Sequence, residues 1–305
     1  MDDTAALLDA LLAPRRAPFA DLAAFRAAWR PAAVAWAAPI DRALVGGAMA
    51  DRLGYAFAAA YEEAVARLVP GAPAAACLCV TETDGAHPRA IHTRLTPDGD
   101  GLRLDGAKRW ATLADSSDVL WVVASIGREG DQNQLRLVRV HADAPGVTRT
   151  PMPPTPFTPE IPHFALAFDG VRVAPGDVLP GDAWVRYARP FRTIEDTFVV
   201  GATAAWVLRV ARAHGWPPVI ATRLTALILA VRGLGAADPD AASVHLGLAG
   251  CRAALDAILA VAEPHWSATD AETAARWHRD APLLRIAEKA QTARTNAAVA
   301  KLLGS

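Results

Sequence analysis

The sequence predicts an α+β protein: a short N-terminal helical region (residues 1–75), a central antiparallel β-barrel or sandwich (76–182) and a C-terminal four-helix bundle (183–305). Three observations carry this reading. Apolar residues recur at helical spacing early in the chain. A middle stretch alternates apolar and polar residues in short runs separated by turn residues. Long apolar-periodic segments then return, broken by Gly and Pro.

In the first zone, Leu44, Ala48, Leu53, Phe57, Tyr61, Val65 and Leu68 fall on one helical stripe. Pro70-Gly71-Ala72-Pro73 ends it. In the second, Leu78–Glu82 reads as a strand, Ile91–Leu95 and Leu102–Leu104 alternate, and Pro97–Gly101 supplies a turn between them. Val119–Ile126 is a near-continuous apolar run, the pattern of a strand covered on both faces. Leu135–Val140 alternates again, and Phe164–Val173 closes the zone. The third zone divides into helices over Phe191–His214, Pro217–Leu234, Ala241–Ala262 and Thr269–Leu303, whose short connections predict an antiparallel bundle.

Composition narrows the function. The chain has 305 residues, of which 52% are hydrophobic and 21% charged, enough for a sizeable core. A net charge of -1 argues against nucleic acid or an acidic membrane surface as partner. The start, Met1-Asp2-Asp3-Thr4, lacks the positive region of a secretory signal, and no apolar run is read as long enough to span a bilayer. Cys77, Cys79 and Cys251 are an odd, sparse set, and no second ligand pair follows Cys77-Leu78-Cys79, so no metal site is expected. A reducing, cytoplasmic location fits. Dinucleotide, phosphate-loop, zincin and serine-elbow motifs are absent.

Five short motifs then occur in order. Cys79-Val80-Thr81-Glu82 with the turn Asp84-Gly85-Ala86-His87 precedes Ile91-His92-Thr93. Leu104-Asp105-Gly106-Ala107-Lys108-Arg109-Trp110-Ala111-Thr112 follows, then Asp118–Ala124, Ala144-Pro145-Gly146-Val147 and Phe168–Val173. This set resembles the flavin-cradling β-domain of the acyl-CoA dehydrogenases. The resemblance implies that FAD is the cofactor. It assigns Val80 and Thr81 to the edge of the isoalloxazine ring, Trp110 to its face, and Thr112 to its N5 region. Gly85 and His87 fall where the family contacts the pyrophosphate, with one residue fewer and no serine. Taken by itself, each residue also has an ordinary explanation, Trp110 as strand core and the threonines as strand formers.

The resemblance also implies a base. Arg279-Asp280-Ala281-Pro282-Leu283-Leu284-Arg285-Ile286-Ala287-Glu288 is similar to the family stretch that ends in the catalytic glutamate, which makes Glu288 the candidate. An enclosed carboxylate is suited to proton abstraction near neutral pH. The residues themselves leave a second reading open: a surface Glu paired with Arg285, three residues earlier. Lys289-Ala290 replaces the family's Gly-Thr, and Ala211–Pro218 replaces its interface-crossing segment, leaving Arg212 as the one substitute. About 75 residues precede the β zone, fewer than the family has. The implied reaction is α,β-dehydrogenation of an acyl-CoA or acyl-carrier-protein thioester. An electron-transfer flavoprotein or similar acceptor and a homo- or hetero-oligomeric assembly are implied with it. A flavin monooxygenase of the same fold and a non-catalytic partner subunit are the alternatives.

Overall fold

The computed structural model describes residues 3–13 and 18–304; Met1-Asp2 of the acidic start lies outside them. Two compact units are present. The helical unit comprises residues up to Arg67, Thr155–Glu160 and the chain from Thr193 onward. The β unit comprises Leu68–Pro154 and Ile161–Arg192.

The β unit holds seven strands: β1 (Ala76–Cys79), β2 (Arg94–Asp98), β3 (Gly101–Thr112), β4 (Val119–Glu129), β5 (Gln132–His141), β6 (Val147–Pro151) and β7 (His163–Val173). They form one sheet in the order β1-β4-β2-β3-β7-β6, with β5 on β4. The predicted turn closes the β2–β3 hairpin, where Asp98 faces Gly101 and Gly99 takes φ +61, a conformation glycine adopts without strain. Its inner face is the expected apolar set, including Cys77, Cys79, Leu104, Leu120, Val122, Val138, Leu166 and Phe168. The two thiols point into this core, their sulfurs 3.6 Å apart.

One feature of the topology positions the site. Strand β1 pairs in parallel with β4 as far as Cys79↔Val122, and β2 joins β4 at Arg94↔Ser125. Only Val123 and Ala124 separate those two points on β4. The chain between them, residues 80–93, therefore leaves the sheet as a loop and returns to almost the same place. Its exit and return carry the residues singled out above.

In the helical unit, the stripe expected over 43–68 divides into α3 (Pro39–Met49) and α4 (Leu53–Leu68), preceded by α1 (Thr4–Leu11) and α2 (Leu22–Ala33). The break falls at Ala50, whose ψ of 141° is extended, and at Asp51, whose carboxylate accepts the Phe19 N–H at 3.0 Å. The later helices are α5 (Arg189–Ala213), α6 (Pro218–Ala236), α7 (Ala242–Ala262), α8 (Ala271–Asp280) and α9 (Glu288–Leu303). The single helix expected over 269–303 is thus two, interrupted at Pro282, which can neither donate to nor fit a helix interior. Trp266 and Trp277 are packing residues, buried and stacked at 4.6 Å. Contrary to the sequence expectation, two helices among the described residues, Pro218–Ala236 and Ala242–Ala268, are long and apolar enough to cross a membrane by length and composition. A core helix passes the same test.

Candidate functional site

The loop 80–93 is closed at its base by a buried ion pair. Lys108 has no exposed surface, and its Nζ donates to Glu82 Oε1 at 2.7 Å and to the Val80 carbonyl at 3.2 Å. The Glu82 carboxylate also accepts the His92 N–H (2.8 Å), the Thr93 N–H (3.1 Å) and the Thr93 hydroxyl (2.8 Å). Burial pushes the Glu82 carboxyl up, but the Lys108 ammonium and these donors outweigh it and hold the group below its usual range. Burial lowers the Lys108 amine, and the Glu82 carboxylate opposes that shift. Glu82 thus serves as a tie between both ends of the loop. Pairing these two residues, 26 positions apart, was not legible in the sequence; the only signal was a lysine at an inward position of an apolar strand.

The tie sets Val80 and Thr81 against β3. The Arg109 N–H donates to the Thr81 carbonyl at 2.8 Å. At that point β3 bulges against β7, since Lys108 faces Leu166 and Ala111 faces Phe164, leaving Arg109 and Trp110 opposite one residue. Trp110 takes φ +58 and is 47% exposed. The ordinary explanation, strand core, therefore does not hold. The bulge turns the indole out of the sheet, where it meets the His163 ring edge-on at 5.7 Å. Its N–H backbone group is held by Met152 Sδ at 3.3 Å. Burial pushes the His163 imidazole down, which favours its neutral form. A bulky residue at positive φ stores strain, and such strain clusters at ligand-contacting positions.

Thr112 sits two residues further on, half-buried and facing His163 across the pair. Neither the Thr81 nor the Thr112 hydroxyl bonds to any described residue. An outward indole with two unpartnered hydroxyls beside it fits a flat ring with a polar edge. These residues are the ones that the resemblance assigns to the flavin ring, and all of them belong to the β unit.

The other half differs from the expectation in detail. Gly85 closes a tight turn with Glu82, and its amide donates to the Glu82 carbonyl at 3.1 Å, so that N–H is already engaged. His87 is exposed, accepts the Arg89 N–H at 3.3 Å, and lies 6.0 Å from the Trp184 ring. In the helical unit, Arg212 donates to the Leu12 carbonyl, and Trp216 is buried edge-on against Trp266 at 4.8 Å.

Glu288 belongs to the helical unit and is the first residue of α9. It is exposed and lies 3.9 Å from Arg285, the pairing expected of a surface Glu at the favourable end of a helix dipole. It also lines a cavity of about 240 Å³ between α7 and α9. Asp280 is fully buried and accepts the Thr158 N–H at 2.7 Å and two bonds from Arg279.

No curated protein matches this chain. Residues 77–171 match the family described as acyl-CoA dehydrogenase, middle domain. Solved structures share the fold. A glutaryl-CoA dehydrogenase from Mycobacterium smegmatis, in complex with FADH2, aligns over 100% of this chain and 95% of its own, with 16% identity and a TM-score of 0.62. Butyryl-CoA dehydrogenase from Megasphaera elsdenii aligns over 85% and 81%, with 15% identity and a TM-score of 0.61. FkbI, for biosynthesis of the methoxymalonyl extender unit of the Fk520 polyketide, aligns over 87% and 84%, with 21% identity and a TM-score of 0.59. Residues 77–171 thus match the acyl-CoA dehydrogenase middle domain, and the chain shares its fold with these structures.

Proposed function

We propose that the chain is an FAD-dependent oxidoreductase that dehydrogenates an acyl thioester at its α,β bond, the acyl group being carried by CoA or by a carrier protein. The observation that supports this reading most is Trp110, held out of the sheet at φ +58 beside Thr81 in the segment that matches the family. Bound flavin would supply the hydride acceptor. Trp110 would cover the ring face, while Val80, Thr81 and Thr112 would meet its polar edge. At the diphosphate end Gly85 has its amide engaged, which leaves the exposed His87 as the candidate contact. Glu288 is the proposed base for the α-proton. An electron-transfer flavoprotein or similar protein would take the electrons, and a cytoplasmic, oligomeric enzyme belongs to the same reading.

The test is anaerobic reduction of the flavin-loaded protein by a panel of acyl-CoA and acyl-carrier-protein thioesters. At least one thioester should bleach the flavin, and Glu288→Gln should abolish the bleaching. Bleaching that survives in Glu288→Gln removes that residue from the mechanism. Its exposed setting beside Arg285 favours a second reading, in which reduced flavin reacts with oxygen and no carboxylate base is needed. Oxygen consumption by the loaded protein with a flavin reductase, at equal rates in wild type and Glu288→Gln, distinguishes that reaction.

A further inference from the structure

His163 is not among the residues that the resemblance assigns to the flavin, yet it joins the group around Trp110 at three points. It opens β7, directly across from Thr112 on β3. Its imidazole meets the Trp110 indole edge-to-face, with ring centres 5.7 Å apart and planes at 73°. Its carbonyl accepts the Met152 N–H at 2.9 Å, and Met152 Sδ in turn accepts the Trp110 N–H at 3.3 Å. Trp110 is therefore clasped twice, at its backbone by Met152 and at its ring by the imidazole. All four residues belong to the β unit.

The clasp answers a physical difficulty. Trp110 combines a φ of +58 with an indole that stands half in solvent. A side chain so exposed has several staggered positions open to it. A ligand that needs it in one of them must order it on binding, which weakens the affinity. An edge-to-face aromatic neighbour favours one placement of the ring and contributes beyond the apolar area it covers. Burial pushes the imidazole toward its neutral form, so the contact joins two uncharged rings. The neighbour is itself well fixed. On one side the His163 carbonyl takes the Met152 N–H, and on the other the Pro162 carbonyl takes the Leu113 N–H at 2.9 Å.

We propose that His163 is a positioning residue for the flavin: its imidazole holds the Trp110 indole in the place from which the indole covers the ring face. This role rests on the flavin reading above and is exerted through Trp110.

The test is a double-mutant cycle on FAD affinity, measured by equilibrium dialysis on the full chain. His163→Val has a side chain that suits a strand but offers no ring, and it should weaken FAD binding about fivefold. His163→Phe keeps a ring and should bind within about twofold of wild type. In a Trp110→Ala background, His163→Val should change the affinity by less than about twofold, because the residue through which it acts is gone. A second measurement needs no flavin. In protein labelled with fluorotryptophan, the fluorine NMR signal lost in Trp110→Phe belongs to Trp110. That signal should be displaced in His163→Val and return toward its wild-type position in His163→Phe. Four results overturn the role and leave the flavin reading standing: unchanged FAD affinity in His163→Val, an equal loss in His163→Phe, an equal effect of His163→Val with and without Trp110, or an unmoved Trp110 signal. A wild-type chain that takes up no FAD overturns the flavin reading and this role with it. If His163→Val fails to fold, His163→Thr replaces it in every arm. If that variant also fails to fold, His163 is structural and the role is overturned.

Discussion

At the residue scale, the site depends on a fully buried lysine, Lys108. Lys108 answers Glu82, the carboxylate that ties loop 80–93 to the sheet. Replacing it with Met leaves Glu82 buried and uncompensated, which should cost about 3–5 kcal/mol in urea unfolding. Lys108→Met with Glu82→Gln should recover part of that loss. A loss under 1 kcal/mol in the single variant would show that the pair is not a tie. The same pair sets a pH dependence. Glu82 is held below its ordinary 4.5, so its stabilising effect is complete above that value and fades as pH falls through the lowered one. Wild type should therefore lose stability on acidification below pH 4.5, and the double variant should lose less. Trp110 acts at the same scale. Trp110→Ala should weaken FAD binding about tenfold, or 1.4 kcal/mol, with little change in melting temperature, because the indole is half exposed. A drop in stability without a change in FAD affinity would return Trp110 to a structural role.

At the scale of elements, the cradle is made by two departures from regular pairing. One is the loop that leaves β4's edge after Val122 and returns at Ser125. The other is the bulge at Arg109–Trp110. Gly106 fits the two together. Its φ is +142, and a Cβ there would lie 2.6 Å from Thr93 Cα. Gly106→Ala should cost about 2–4 kcal/mol from strain and overlap, read by thermal melting. A stability within 0.5 kcal/mol of wild type would show that β3 and the loop yield more easily than their geometry implies. Much of this level was legible in the sequence. Alternation gave β3, β5 and β7, and the Pro-Asp-Gly-Asp-Gly turn gave the β2–β3 hairpin, since both follow from local chemistry. The bulge was not, because Lys108-Arg109-Trp110 alternates well enough to pass as plain strand. Nor was the break between α8 and α9, which falls inside the single helix expected over Thr269–Leu303. Asp280 there spends its carboxylate on Thr158, 122 residues away, a contact no local pattern encodes.

At the scale of the whole molecule, the family match lies in the β unit, at residues 77–171, and the proposed chemistry rests on what that unit holds. Trp110 is 47% exposed, and the Thr81 and Thr112 hydroxyls bond to no described residue. Of those expected to face the diphosphate, the Gly85 amide is committed to Glu82 and Arg212 to the Leu12 carbonyl, while His87 is exposed. FAD retention is thus the property on which the account turns. The most direct measurement is the visible absorption spectrum of the full chain, purified and then incubated with excess FAD and desalted. The account predicts a yellow protein whose flavin band persists through desalting and is lost in large part in Trp110→Ala. A colourless protein that retains no flavin after incubation would contradict it.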